Sequence, residues 1–360
     1  MSGAFNPDLL RMARQARGWS QTVLSKRSGV SQSGLSKLEN GLIGPADDVL
    51  DRAATALRFP RSLFFEPDRV LGLPMSVHPM YRKRANVGQR ALERLEAELN
   101  IHLLHLRRLL KSAEFEPELP LPKMDIDEFG GDPERIAELV RRTWLVPSGP
   151  MANLVGWVES AGCIVVHCDF ASLSVDGVTV KSPGLPPCIF LNRNQPADRQ
   201  RFSLGHELGH IVMHQVPSRT MEDEANDFAS ALLMPAREVR PLLAGRLTIQ
   251  RLAALKPAWK VSMQALLYRA KSIGAITANQ SQYLWRQISA LGYRRSEPPE
   301  LDFAVEEPGV LVELIRMHLE DLDYEVEDLY AVLHVFEEDF RRMHPSIGGT
   351  GGPNLRLVRP

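Results

Sequence analysis

Residues 201–235 read RFSLGHELGHIVMHQVPSRTMEDEANDFASALLMP. The apolar positions Phe202, Leu204, Leu208, Ile211 and Val212 recur with helical spacing, so Pro196–His214 reads as a helix. His206 and His210 stand at i and i+4, which puts both imidazoles on one helix face about one turn apart. That is the geometry for holding one tetrahedral zinc through two nitrogens. Glu207 lies about 100° further round the helix, where its carboxylate can reach the open coordination position and act as general base. Gly205 and Gly209 keep the helix surface small near the metal. A surface helix with two solvated histidines is the plainer reading, and the flanking apolar residues weigh against it.

A catalytic zinc site wants a third protein ligand. The motif does not continue as HExxHxxGxxH. The next helix offers Glu222, Asp223, Glu224 and Asn226. Glu222 and Asn226 share a face, so one can ligate while the other hydrogen-bonds a ligand histidine. Glu224 falls about 200° away and is the other candidate. His214 extends the His206–His210 stripe, but it lies about 12 Å along the helix from His206, too far for both to bind one ion. It reads as a structural or substrate-facing histidine.

Upstream the pattern changes to strands. Gly162–Cys168 is a short β-branched run, Leu173–Lys181 alternates and carries the hairpin signal Asp176-Gly177, and Cys188–Leu191 is a third apolar run. Cys163 and Cys168 are an odd number of residues apart, so on a strand they face opposite ways. With Cys188 they form no CxxC pair and read as buried free thiols of a reducing compartment.

Residues 6–66 read as short helices without strand alternation. Pro7 opens the first and Gly18 ends it. Ser20 N-caps the second, which stops at Gly29; Ser31 N-caps the third, Gln32–Glu39, which Asn40-Gly41 ends. A fourth runs about Ala46–Leu57, and a turn follows at Pro60–Phe65. Helix, tight turn and second helix with small polar residues at its start are what entry into a DNA groove requires. Between Arg11 and Lys37 stand six Lys or Arg and no acid, a cationic face for phosphates. A helical bundle used only for protein contact is the alternative.

Residues 88–111 read as a long helix with a leucine stripe at 92, 95, 99, 103, 106 and 110. Further helices are expected at Pro133–Trp144 and Met151–Ala161. The basic run Tyr81-Arg82-Lys83-Arg84 suits phosphate contacts, contacts to the acidic C-terminal helices, or a solvated face. Residues 297–342 hold 15 Asp or Glu against 3 Lys or Arg. The fold class expected is mainly α with a small mixed β-sheet (α+β). The expected divisions are a helix-turn-helix domain at 1–66, a linker at 67–80, a helical connection at 81–145, the metal-site domain at 146–275, an acidic helical region at 276–345 and a disordered tail at 346–360. The chain has 360 residues and a net charge of -1, no signal-peptide pattern at MSGAFNPDLL and no membrane-length apolar run, so a cytoplasmic location is expected.

The blocks RFSLGHELGHIVMH and MEDEANDFASALLMP resemble the ImmA/IrrE family of zinc metallopeptidases. That resemblance implies a gluzincin-like fold with Zn2+ held by His206, His210 and Glu222, Glu207 as catalytic base and Asn226 in support. Residues 6–66, with SQTVLSKRSGVSQSGLSKLENG at 20–41, resemble the XRE/Cro class of regulators. By that resemblance Gln32, Ser33, Ser36 and Lys37 face base edges, and Gln21 and Asn40 contact phosphate. The partners implied are double-stranded operator DNA and a helix-turn-helix repressor cleaved in trans, or this chain itself cleaved in its linker; a homodimer is compatible. The alternative is a non-proteolytic regulator whose metal domain senses or scaffolds, including one in a prophage or toxin–antitoxin module.

Overall fold

The computed structural model describes residues 3–72, 88–113, 115–170 and 175–344. The basic run at 81–84, the tail at 346–360, most of the linker at 67–80 and the first two residues of the 173–181 alternation fall outside these residues. The chain divides into two compact units, 1–115 with 170–174 and 310–360, and 116–169 with 175–309.

The first unit begins with helices α1 (Pro7–Ala16), α2 (Gln21–Ser28), α3 (Gln32–Glu39) and α4 (Asp47–Leu57), closed by a 3₁₀ turn at Arg61–Phe65. The caps are those read from the sequence. Ser20 accepts from the Val23 N–H, Ser31 from the Gly34 N–H, and Gly29 stops α2 in the left-handed region at φ 70°. Leu9, Leu10, Leu24, Leu35, Leu38, Leu50, Leu57 and Phe64 form the core between them.

Helix α5 (Gln89–Leu109) closes that core with Ala97, Ile101 and Leu104. The leucine stripe predicts a helix with one buried face. The structure instead buries α5 on all sides over 97–106, including Glu98, Asn100, His102 and His105. The reason is tertiary: α1 packs on it, and so do α14 (Val310–Glu320) and α15 (Val326–Leu333), which return from the far end of the chain. The acidic C-terminal helices find their cations here. In α16 (Glu337–Met343), Asp339 binds Arg17 at 2.5–2.8 Å and Glu338 binds Arg58, while Arg342 reaches Glu98 at 2.9 Å.

The second unit holds α6 (Pro133–Thr143), α7 (Leu154–Ser160), strands β1 (Ile164–Cys168), β2 (Gly177–Val180) and β3 (Cys188–Asn192), then α8 (Ala197–Met213), α9 (Met221–Leu233), α10 (Ala236–Leu243), α11 (Ile249–Trp259), α12 (Met263–Ser272) and α13 (Ala278–Ala290). The small mixed sheet has the order β1-β3-β2. β1 pairs parallel to β3, and β2 pairs antiparallel to its other side. Central β3 is buried at every residue, whereas the outer strand β2 begins half-buried. The hairpin turn expected at Asp176-Gly177 is absent. Gly177 is the first residue of β2 and stands opposite Leu191. The Asp176 carbonyl accepts from the Asn192 N–H, and its carboxylate holds Arg199 at 2.8 Å, so the pair belongs to the ladder. The α+β class, mainly helical, is the one the sequence predicts. All three cysteines are buried and none is in a disulfide among the described residues.

Candidate metal centre and nucleic-acid interface

Helices α8 and α9 lie against each other, and α8 also covers β2 and β3. A Cβ at Gly209 would stand 3.0 Å from Phe228 Cδ1 and 3.3 Å from the Ala225 backbone. The glycine thus lets the two backbones approach. Two buried cations anchor the start of α8. Lys256 binds Asp198 at 2.9 Å, and Arg201 binds Glu306 and the Met151 carbonyl.

Close approach brings His206, His210 and Glu222 together, with one ligand atom from each within 4.8 Å of the others. The two Nε2 atoms are 3.0 Å apart, and the Glu222 oxygens lie 3.5 Å from each. Nitrogens on one tetrahedral zinc are about 3.3 Å apart, so an ion of that size fits. Glu222 Oε1 is buried and has no hydrogen-bond partner among the described residues, as an oxygen kept for a cation would be. Glu224, the other candidate, turns away and binds His214.

With all three rings neutral, hydrogen-bond polarity sets the tautomers of both candidate ligands. Asn226 Oδ1 only accepts, so His206 donates to it from Nδ1 at 3.0 Å and its Nε2 keeps a lone pair. The Glu224 carboxylate accepts from His214 Nε2 at 2.9 Å. That leaves His214 Nδ1 as an acceptor for His210 Nδ1 at 2.9 Å, and His210 Nε2 again keeps a lone pair. Sequence reasoning left His214 as structural or substrate-facing; the structure makes it the partner of a candidate ligand, and the signal was the continued i+4 stripe.

The electrostatics suit a cation. Burial disfavours a proton on His206, but Glu222, Glu207 and Asn226 outweigh it and raise the pKa. A field that attracts a proton also attracts a metal ion. Burial, then the charge of His206, pushes His210 down to about 3, so it is neutral. Burial would raise Glu222, yet contact with the histidines holds it below the ordinary carboxylate range.

Glu207 is buried and accepts from Thr179 Oγ1 on β2 at 2.7 Å. Burial raises its pKa against the opposing pulls of His206 and Thr179. Gly177 leaves it room, for a Cβ there would stand 3.1 Å from Glu207 Cγ. Thr179 was missed in the sequence, where it is one alternating residue of a short run.

In the helix-turn-helix region Gln32, Ser33, Lys37 and Asn40 are exposed, and Ser36 is half-buried. Gln21 is braced rather than free: its Nε2 donates to Glu39 at 2.9 Å, and its Oε1 accepts from Gln32 at 2.9 Å. Asn40 donates to the Ser36 carbonyl at 2.7 Å. The cationic face is smaller than the sequence count implies. Arg14 is buried on Glu39 at 2.6 and 2.8 Å, and Arg17 is held by Asp339 and the Leu57 carbonyl. Lys26, Arg27 and Lys37 remain exposed.

Residues 158–271 match the IrrE N-terminal-like domain, Peptidase_M78. The matched span contains β1, α8 and α9 and so the whole His206, His210 and Glu222 cluster. Residues 8–64 match a helix-turn-helix domain. The two follow in the order read from the sequence. The helix-turn-helix match supports DNA binding and transcription regulation, and the IrrE-like match supports a metal-dependent domain of peptidase type. Comparison with curated proteins finds no match. Among the described residues no helix is long and apolar enough to cross a membrane.

Proposed function

We propose that the chain is a DNA-binding transcription regulator whose IrrE-like domain is a zinc-dependent endopeptidase, acting on a helix-turn-helix repressor to relieve repression. One observation carries the peptidase reading: Nε2 of both imidazoles and the Glu222 carboxylate converge on one point, with buried Glu207 on the same helix. His206, His210 and Glu222 would hold the ion, which supplies Lewis acidity toward a peptide carbonyl and an attacking water. Glu207 takes the proton of that water and passes it to the leaving amine; its raised pKa makes it the stronger base for the task. Thr179 holds the carboxylate on the β2 side. Among the described residues β2 ends the sheet, so an extended substrate segment can add to its outer edge beside Glu207. In the first unit, Gln32, Ser33, Ser36 and Lys37 are the residues assigned to base edges, and Gln21 and Asn40 those assigned to the phosphate backbone.

The test compares wild type with Glu207→Gln, each supplied with zinc. Fragments of this protein, or of a helix-turn-helix protein encoded beside it, are expected from wild type only. Identical regulation and no cleavage by either variant would leave a regulator whose metal domain is a sensor or scaffold. For the DNA reading, Gln32→Ala with Lys37→Ala is expected to weaken a salt-sensitive mobility shift on a specific site, and an unchanged shift refutes this assignment of the recognition helix.

A further inference from the structure

A cavity of about 370 Å3 opens in the second unit, lined from the start of α8, from α9 and α12, and from the turn that follows α13. None of the candidate metal ligands lines it, yet it lies one helical turn from them on two helices. Phe202 of its wall stands four residues before His206, and Ser230 stands four residues after Asn226, the partner of His206. A cavity of that volume encloses a small organic molecule.

Phe202, Tyr268 and Tyr293 line it with rings, which favours a flat apolar body. Ser230 is 3% exposed, and its hydroxyl has no hydrogen-bond partner among the described residues. A helical serine usually returns its hydroxyl to the carbonyl four residues back or turns it to water. A buried hydroxyl left unpaired is unfavourable, and a polar atom of a ligand in the cavity would satisfy it.

The charged groups of the lining are engaged, with one exception. Lys256 holds Asp198, Glu297 and Asp302 at 2.9, 3.0 and 3.1 Å, and Glu297 also accepts from the Met263 and Gln264 N–H groups. Arg199 is held by Asp176 at 2.8 Å, and the Arg294 guanidinium lies over the Trp285 ring. Arg295 is exposed, and among the described residues no acid, ring or side-chain hydrogen bond holds it. A planar guanidinium of this kind suits a carboxylate.

We propose that this cavity binds a small aromatic carboxylate that carries a hydroxyl at its far end. The ring lies among Phe202, Tyr268 and Tyr293, the hydroxyl pairs with Ser230 deep in the wall, and the carboxylate pairs with Arg295 at the rim. Such a site gives a regulator a small-molecule input separate from its metal centre. The proposal does not rest on the peptidase reading.

The test is saturation-transfer NMR on the full chain, stripped of metal with chelator so that no ion can hold the carboxylate. The probes are 4-hydroxyphenylacetate, phenylacetate, which lacks the hydroxyl, and tyramine, which has an ammonium in place of the carboxylate. 4-Hydroxyphenylacetate is expected to bind, phenylacetate about two- to tenfold more weakly for the one lost hydrogen bond, and tyramine roughly tenfold more weakly. Ser230→Ala removes only an unpaired hydroxyl and is expected to bring 4-hydroxyphenylacetate down to the affinity of phenylacetate. Arg295→Gln is expected to weaken both acids about three- to tenfold. The proposal is overturned if wild type does not bind 4-hydroxyphenylacetate, if it binds tyramine as tightly, or if neither substitution changes the binding. Should a variant not fold, the three probes decide on wild type alone.

Discussion

Replacing His214 with leucine is expected to weaken zinc binding without touching any residue that faces the ion. His214 is 9% exposed and His210 is 7% exposed, so water cannot take over their contact. In the variant the His210 Nδ1–H loses the acceptor it has at 2.9 Å and is buried unsatisfied. An orphaned buried donor costs about 1–3 kcal/mol. The alternative is to move the proton to Nε2, which removes the lone pair offered to the metal. Either way the loss falls on the bound state, and at about 1.4 kcal/mol per factor of ten the dissociation constant rises about 5- to 150-fold. Glu224→Gln keeps an acceptor oxygen for His214 but gives up its charge, so it should fall between wild type and His214→Leu. The assay is competition for Zn2+ against a chromophoric chelator at neutral pH, with the fold of each variant checked by circular dichroism. If folded His214→Leu binds zinc within about twofold of wild type while Glu222→Gln loses it, the orienting chain from Glu224 through His214 to His210 is refuted.

Gly177→Val should abolish cleavage while leaving bound zinc unchanged, because its side chain enters the space of Glu207 and not that of the ligands; metal analysis beside a fragment assay reads both. His105 is held neutral when folded, whereas an unfolded histidine takes a proton near pH 6.5. The unfolded chain therefore binds the extra proton below that value, and metal-free stability should fall as pH drops through about 6.5. Urea midpoints across that range should show a smaller fall in His105→Asn. Burial pushes the Cys163 thiol up to about 12, so iodoacetamide should leave it unmodified in the native protein and label it after denaturation, as mass spectrometry of the peptide would show.

The parts legible in the sequence are those set by neighbours along the chain. Ser20, Ser31 and Gly29 bound their helices because a cap needs only the backbone groups three or four residues away. The Asp176-Gly177 pair misled because its role is set at a distance. The Asn192 N–H and Arg199 hold it in the ladder, and the glycine makes room for Glu207. The count of basic residues misled in the same way. Arg14 and Arg17 read as surface charges until Glu39 and Asp339 claim them.

The sequence by itself determined that His206 and His210 share a helix face and that Glu222 and Asn226 share another, since helical periodicity is a local property of the chain. It left open whether Glu222 or Glu224 turns to the histidines, because both stand in the first turn of one helix. Tertiary structure decided that. Gly209 lets α8 and α9 approach, which sets Glu222 before the two Nε2 atoms and Glu224 before His214. Tertiary structure alone also brought Thr179 to Glu207 and His344 to His105, over 28 and 239 residues of chain. No periodicity spans such separations; only packing of distant elements around a shared core does.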